Sequence, residues 1–157
     1  MKFIVTLAAV LLTSLVIQAQ KLESEDVSLM RPDDRSYADA MNTATLIEGR
    51  GIHIKSIHKS KLQGFFRDVW KAAFYKTDKG LFQIIFFDEP GQAEKITVKE
   101  VRDGKRFIYS FEGQPRPNPP GDVMNAGYKN FFIMRDRLFI VVAEDEKLYE
   151  TLKAIFQ

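Results

Sequence analysis

Leu81-Phe82-Gln83-Ile84-Ile85-Phe86-Phe87 is the stretch that decides how this chain folds. Six of its seven side chains are apolar, and they show no helical spacing. Turn chemistry bounds it on both sides, Lys79-Gly80 before and Asp88-Glu89-Pro90-Gly91 after. A strand that is apolar on both faces needs cover on both, so the stretch belongs inside a sheet rather than at its edge.

Downstream, Glu94 to Arg102 alternates, with Ile96, Val98 and Glu100 opposing Lys95, Thr97, Lys99 and Val101. Asp103-Gly104 then leads into Lys105 to Glu112, where Phe107, Tyr109 and Phe111 alternate with Arg106, Ile108 and Ser110. Asp-Gly between two alternating runs is a strong hairpin signal. The expectation is a three-stranded meander of these two runs with Leu81 to Phe87. Gly113 to Asp122, with four prolines, breaks the pattern. Asn130 to Met134 and Leu138 to Ala143 read as two more strands joined at Arg135-Asp136-Arg137. A closing helix follows, with Asp145 as its cap and Leu148, Leu152, Ile155 and Phe156 as its buried stripe.

Upstream, Lys61 to Lys76 supports two readings. Leu62, Phe65, Phe66, Val69, Trp70, Ala73 and Phe74 form one helical stripe, and a helix from Lys61 to about Trp70 is favoured. The other reading makes Lys71 to Lys76 a strand, paired with Leu81 to Phe87 across Thr77-Asp78-Lys79-Gly80; helix followed by strand would satisfy both. Gly51 to His58 alternates as a half-buried strand near an edge. Tyr37, Ala40, Met41, Ala44 and Ile47 fall at helical spacing before Gly49. The sum is an α+β domain: a mainly antiparallel sheet of five to six strands with a meander core, a C-terminal helix, and one or two further helices on the same face.

Met1-Lys2-Phe3, an apolar run from Ile4 to Ile17, and Ala19 give the three-part pattern of a secretory signal peptide with cleavage after Ala19. The run is shorter than a membrane span requires. Residues 20–35 then read as a flexible polar arm and 36–157 as one domain. The 23 Lys and Arg against 21 Asp and Glu, with Lys2 lost in the leader, leave the mature chain near +1. That balance argues against nucleic acid as a partner. The absence of Cys excludes disulfides, thiol catalysis and thiolate metal sites. A Cys-free chain with a leader and no glycosylation sequon is expected to be secreted or periplasmic.

The sequence holds no strong catalytic constellation. His53 and His58 are its two histidines, and five residues on a strand place them on opposite faces, which speaks against a shared metal. Ser56, Ser60 and Ser110 lack a nucleophile-elbow context. Asp88-Glu89, Asp103, Asp122 and Asp145-Glu146 stand at turns and strand ends, where carboxylates serve as caps and turn formers. Lys55, His58, Lys59 and Lys61 form the densest basic run, able to touch an anionic surface. Prolines 115, 117, 119 and 120 pre-set an extended loop with Arg116 at its tip, which suits recognition. The sequence therefore favours a non-catalytic domain, without cofactor or metal, that binds a small molecule or protein partner through Arg116, Pro117, Asn118, Tyr128 and Phe131. The alternative is a small hydrolase using strand-end carboxylates or His53.

Overall fold

The structure, a computed structural model, describes residues 28–60, 71–101, 106–112, 114–115 and 130–157. The signal-peptide segment lies outside the described residues. Helix α1 spans Tyr37–Glu48 and leads to strand β1, Ile54–Lys59. Strands β2, Lys71–Thr77, and β3, Leu81–Phe86, form a hairpin across Asp78-Lys79-Gly80, with Lys76 opposite Leu81 and Lys71 opposite Phe86. A 3-10 turn at Ala93–Lys95 precedes β4, Ile96–Val101, which pairs with β5, Arg106–Phe111. The short β6, Gln114–Pro115, follows, then β7, Asn130–Arg135, β8, Leu138–Ala143, and helix α2, Glu146–Phe156.

Five strands make one antiparallel sheet in the order β1-β2-β3-β8-β7, which places β3 at its centre. The strand reading of Lys71 to Lys76 is the observed one, and the helix expected over 61–70 lies outside the described residues. The meander is β1-β2-β3, not β3 with the two runs after it. Those runs pair with each other and with β6 in a separate three-stranded sheet. The reason is in the side chains. Leu138 to Ala143 is apolar on both faces and suits a place beside β3, whereas the alternating β4 has one apolar side and suits a covering layer. Gln114 and Pro115 were expected to be loop; they pair with Phe111 and Ser110 at the end of the small sheet, an edge position where proline's missing N–H is tolerated.

Each face of the large sheet has its own apolar cluster. On the first, Ala73, Tyr75, Phe82, Ile84, Phe86, Ile133, Ile140 and Val142 pack against Ala40, Ala44 and Ile47 of α1 and Leu148 and Leu152 of α2. Both helices thus lie on one face. Asp145 caps α2 by accepting from the Leu148 N–H at 2.8 Å, and burial of Leu148 and Leu152 contributes about 1.5–3 kcal/mol each. On the second face, Ala72, Ile85, Phe87, Phe139 and Val141 pack against Ala93 of the 3-10 turn and Ile96 of β4, with Val98, Phe132 and Met134 at the margin.

The part of the expected arm from Ser28 onward runs along β1. Leu29 bridges His58, the Met30 N–H donates to Ile57 O and the Lys59 N–H to Ser28 O, both at 3.0 Å.

Candidate functional site

Strand pairing sorts the second face into rows. One row, Ala72, Ile85, Phe139 and Met134, is apolar throughout and lies under the 3-10 turn and β4. The next runs across the sheet and its edge bridge as Leu29, His58, Phe74, Gln83, Val141 and Phe132. Here the composition changes. Val141 is buried, His58, Phe74, Gln83 and Phe132 are half-buried, and Leu29 is 60% exposed. One step further along the strands, Ser56 stands opposite Lys76 and Lys76 opposite Leu81, while Asn130 stands opposite Ala143.

Hydrogen bonds tie the polar members together. Ser56 Oγ and His58 Nε2 are 2.8 Å apart, and the Ser60 hydroxyl donates to Gln83 Oε1 at 2.6 Å. His58 also stands at 6.1 Å, centroid to centroid, from the Phe74 ring across the strand pair. A β-bulge between Ile54 and Ser56 sets this arrangement. It shifts the register by one residue, so that Ile54 and Ile57 both reach the helix-covered core while Ser56 and His58 share the second face.

His53 stands apart from these groups. It lies ahead of β1, its side chain is 73% exposed, its Nδ1 is 3.6 Å from Glu48 Oε1, and its backbone N–H donates to Asp78 Oδ1 at 2.9 Å. The carboxylates at strand ends serve as caps and ion-pair partners. Asp88 binds the Lys71 ammonium at 2.7 Å, Asp39 approaches the same ammonium at 3.3 Å, and Asp145 caps α2. The hydrogen bond from Lys71 to Asp88 holds the ammonium above the usual lysine range, against the opposing effect of burial. Glu89 and Glu146 are exposed, and Asp103 and Asp122 lie outside the described residues. Among the described residues no three of His, Asp and Glu come together in a way that could hold a metal ion.

The basic run is split between environments. Lys55 is exposed, His58 belongs to the second face, Lys59 pairs with Asp34, and Lys61 lies outside the described residues. Of the residues expected to bind a partner, Arg116, Pro117, Asn118 and Tyr128 lie outside the described residues as well. Phe131 points to the helix-covered face, where its ring stacks on Tyr149 of α2 at 5.1 Å and 20°. Its neighbour Phe132 is the residue that faces the second side, stacked on Phe139 at 5.9 Å. The segment 116–129 leaves from the small sheet at Pro115 and re-enters at Asn130, whose parity matches Phe132.

Sequence reasoning gave no binding role to Ser56, Phe74, Lys76 or Gln83. One signal was available: Gln83 is the single polar residue of the central strand. The bulge that aligns Ser56 with Lys76 leaves no mark in the alternation pattern.

No protein family model matches the chain, and no curated protein and no solved structure matches it either. No helix among the described residues is long and apolar enough to cross a membrane.

Proposed function

We propose that the mature chain is a secreted or periplasmic binding domain that holds a small ligand or a protein partner on the second face of its large sheet, without carrying out chemistry on it. The observation that carries this reading is the row His58, Phe74, Gln83 and Phe132, where polar and aromatic side chains follow directly on the wholly apolar row beside it. Half-buried polar groups cost stability wherever their hydrogen bonds are imperfect, so packing alone favours aliphatic residues there. Aromatic surface with a few placed polar groups is the usual composition of binding sites.

Two further points support it. The proline-rich segment has its N-terminal anchor on the small sheet, whose first strand lies over this face, and its C-terminal anchor at Asn130 on the face itself. Arg116, Pro117, Asn118 and Tyr128 are therefore its proposed contributors, while Phe131 acts through packing. Of the strand-end carboxylates a hydrolase would draw on, Asp88 and Asp145 are already engaged in an ion pair and a helix cap. The leader, with its short apolar run and Ala19, supports the extracytoplasmic placement. Export should yield a chain that begins at Gln20, which intact mass measurement of the secreted protein reads directly.

The test is a fragment titration of the mature chain followed by amide shifts. Binding that collects on His58, Phe74, Gln83 and the Arg116–Tyr128 segment, and weakens in Phe74→Ala, supports the proposal. Binding confined to the helix-covered side, or insensitive to that substitution, overturns it.

A further inference from the structure

Among the described residues, half-buried lysines have partners, with one exception. Lys59 pairs with Asp34, Lys71 with Asp39 and Asp88, and Lys153 lies 5.6 Å from the centroid of the Tyr149 ring. Lys76 is equally half-buried, yet it has no carboxylate or aromatic partner among the described residues. An ammonium that finds no counter-charge in its own fold can take one from outside.

The surroundings of Lys76 specify what could supply that charge. Ser56 stands directly opposite it on β1, a relationship that brings Cβ atoms within about 4.5–5.5 Å. On its other side Leu81 is its partner on β3. Two residues along the same strand Phe74 shares its face, next to His58. The Ser56 hydroxyl is in hydrogen-bond contact with His58 Nε2 at 2.8 Å. If Nε2–H donates to Ser56 Oγ, the serine proton is free to donate to an anion beside Lys76. Two donors, one of them charged, then face one acceptor group, with apolar side chains next to them.

We propose that Lys76 and Ser56, with His58 behind the serine, bind the carboxylate of an organic acid whose apolar or aromatic body lies along Leu81 and Phe74. One ammonium and one hydroxyl match the single charge and two oxygens of a carboxylate; a phosphate, with more charge and more acceptors, would be left under-satisfied. The proposal rests on the second face being the binding face and names the ligand class it takes.

The experiment titrates the mature chain with 3-phenylpropionate, with its neutral counterpart 3-phenyl-1-propanol, and with inorganic phosphate, following backbone amide shifts. The expected result is saturable binding of the carboxylate at Ser56, His58, Lys76 and Leu81. It should weaken by about tenfold in Lys76→Met, the loss of one charge-assisted contact, and less in Ser56→Ala. Lys79→Met, a nearby exposed lysine, should leave it unchanged. Thermal unfolding of Lys76→Met equal to the parent shows that the variant is folded. Equal binding of the alcohol and the acid at these amides overturns the anion site while leaving the binding face standing. Binding of phosphate in preference to the acid overturns the ligand class. Absence of shifts there with all three probes overturns the site, and the binding face then stands or falls on the broader fragment titration.

Discussion

The Ser36 hydroxyl accepts a hydrogen bond from the Ala72 N–H at 2.9 Å, with both residues buried. Ser36 stands just ahead of α1, where serine normally caps a helix, but its side chain makes no such cap. Strand pairing explains the diversion. The β1 ladder ends with Lys59 opposite Ala73, so the Ala72 N–H falls one step beyond it and Ser36 supplies the acceptor the ladder lacks. Ser36→Ala should leave a buried donor unpaired and cost about 1–3 kcal/mol in urea unfolding. An unchanged midpoint would show that Ala72 has another acceptor.

Gly80 closes the β2–β3 hairpin at a φ of +142°, and a Cβ there would come 2.9 Å from Leu148 Cδ2. Leu148 is fully buried beneath α2, and Asp145 at the cap of that helix lies 3.5 Å from the same position, so the hairpin turn and the C-terminal helix meet here. Gly51 also has positive φ, at +83°, but nothing lies within 4 Å of its Cβ position. Gly51→Ala should therefore cost only its backbone strain, about 1–2 kcal/mol. Gly80→Ala should cost that strain and about 1–3 kcal/mol more for displacing Leu148. Equal losses for the two variants in thermal unfolding would show that α2 shifts to make room.

The place of β3 was legible because six of the seven residues from Leu81 to Phe87 are apolar, with no amphipathic face and turn residues on both sides. The C-terminal helix was legible too, since Asp145, Leu148 and Leu152 agree as cap and stripe. Partner choice between strands was less so. Local pattern made Glu94 to Arg102 a strand, but whether it pairs with β3 or lies over it depends on competition from Leu138 to Ala143, far along the chain. Phe131 and Phe132 show a second limit. Adjacent aromatics on a strand face opposite ways, and register decides which one meets the helices. The second-face site was least legible, because it rests on a one-residue bulge at the start of β1.

Tyr75 joins the sheet to α1. Its ring stacks on Phe82 at 4.7 Å and its hydroxyl donates to Ala40 O at 3.0 Å. Burial pushes this hydroxyl well above the ordinary tyrosine range; a hydrogen bond with Thr43 opposes the shift and the charge of Asp39 adds to it. In the unfolded chain the group loses its proton near pH 10. The folded chain still holds it there, so above about pH 10 the unfolded state binds fewer protons and stability falls as pH rises. Tyr75→Phe should cost about 0.5–1.5 kcal/mol at neutral pH. It should also flatten the alkaline decline measured by urea unfolding between about pH 9 and 11. A decline equally steep in the variant would assign it to other groups.

The edge of β1 is held by a second titrating contact. Asp34 accepts from the Lys59 ammonium and from the Arg31 N–H, the latter at 2.8 Å, and these two bonds, the lysine's first, hold its carboxyl below the usual range. The pair sits where the Met30 N–H and the Lys59 N–H tie Ser28–Met30 to the strand edge. A depressed carboxyl stabilises the folded form above its ordinary value, near pH 4, and that contribution disappears as pH falls through the lower folded value. Acidification from neutral pH to below 4 should therefore loosen the Ser28–Met30 segment before the central strands. Asp34→Asn should produce the same local loosening at neutral pH. Hydrogen exchange reads both, as a severalfold loss of protection at the Met30 and Lys59 amides with Ile84 and Ile140 unchanged. Equal loss at all four would mean that the contact supports the whole fold, and no loss at Met30 and Lys59 would mean that the two backbone hydrogen bonds hold the edge without it.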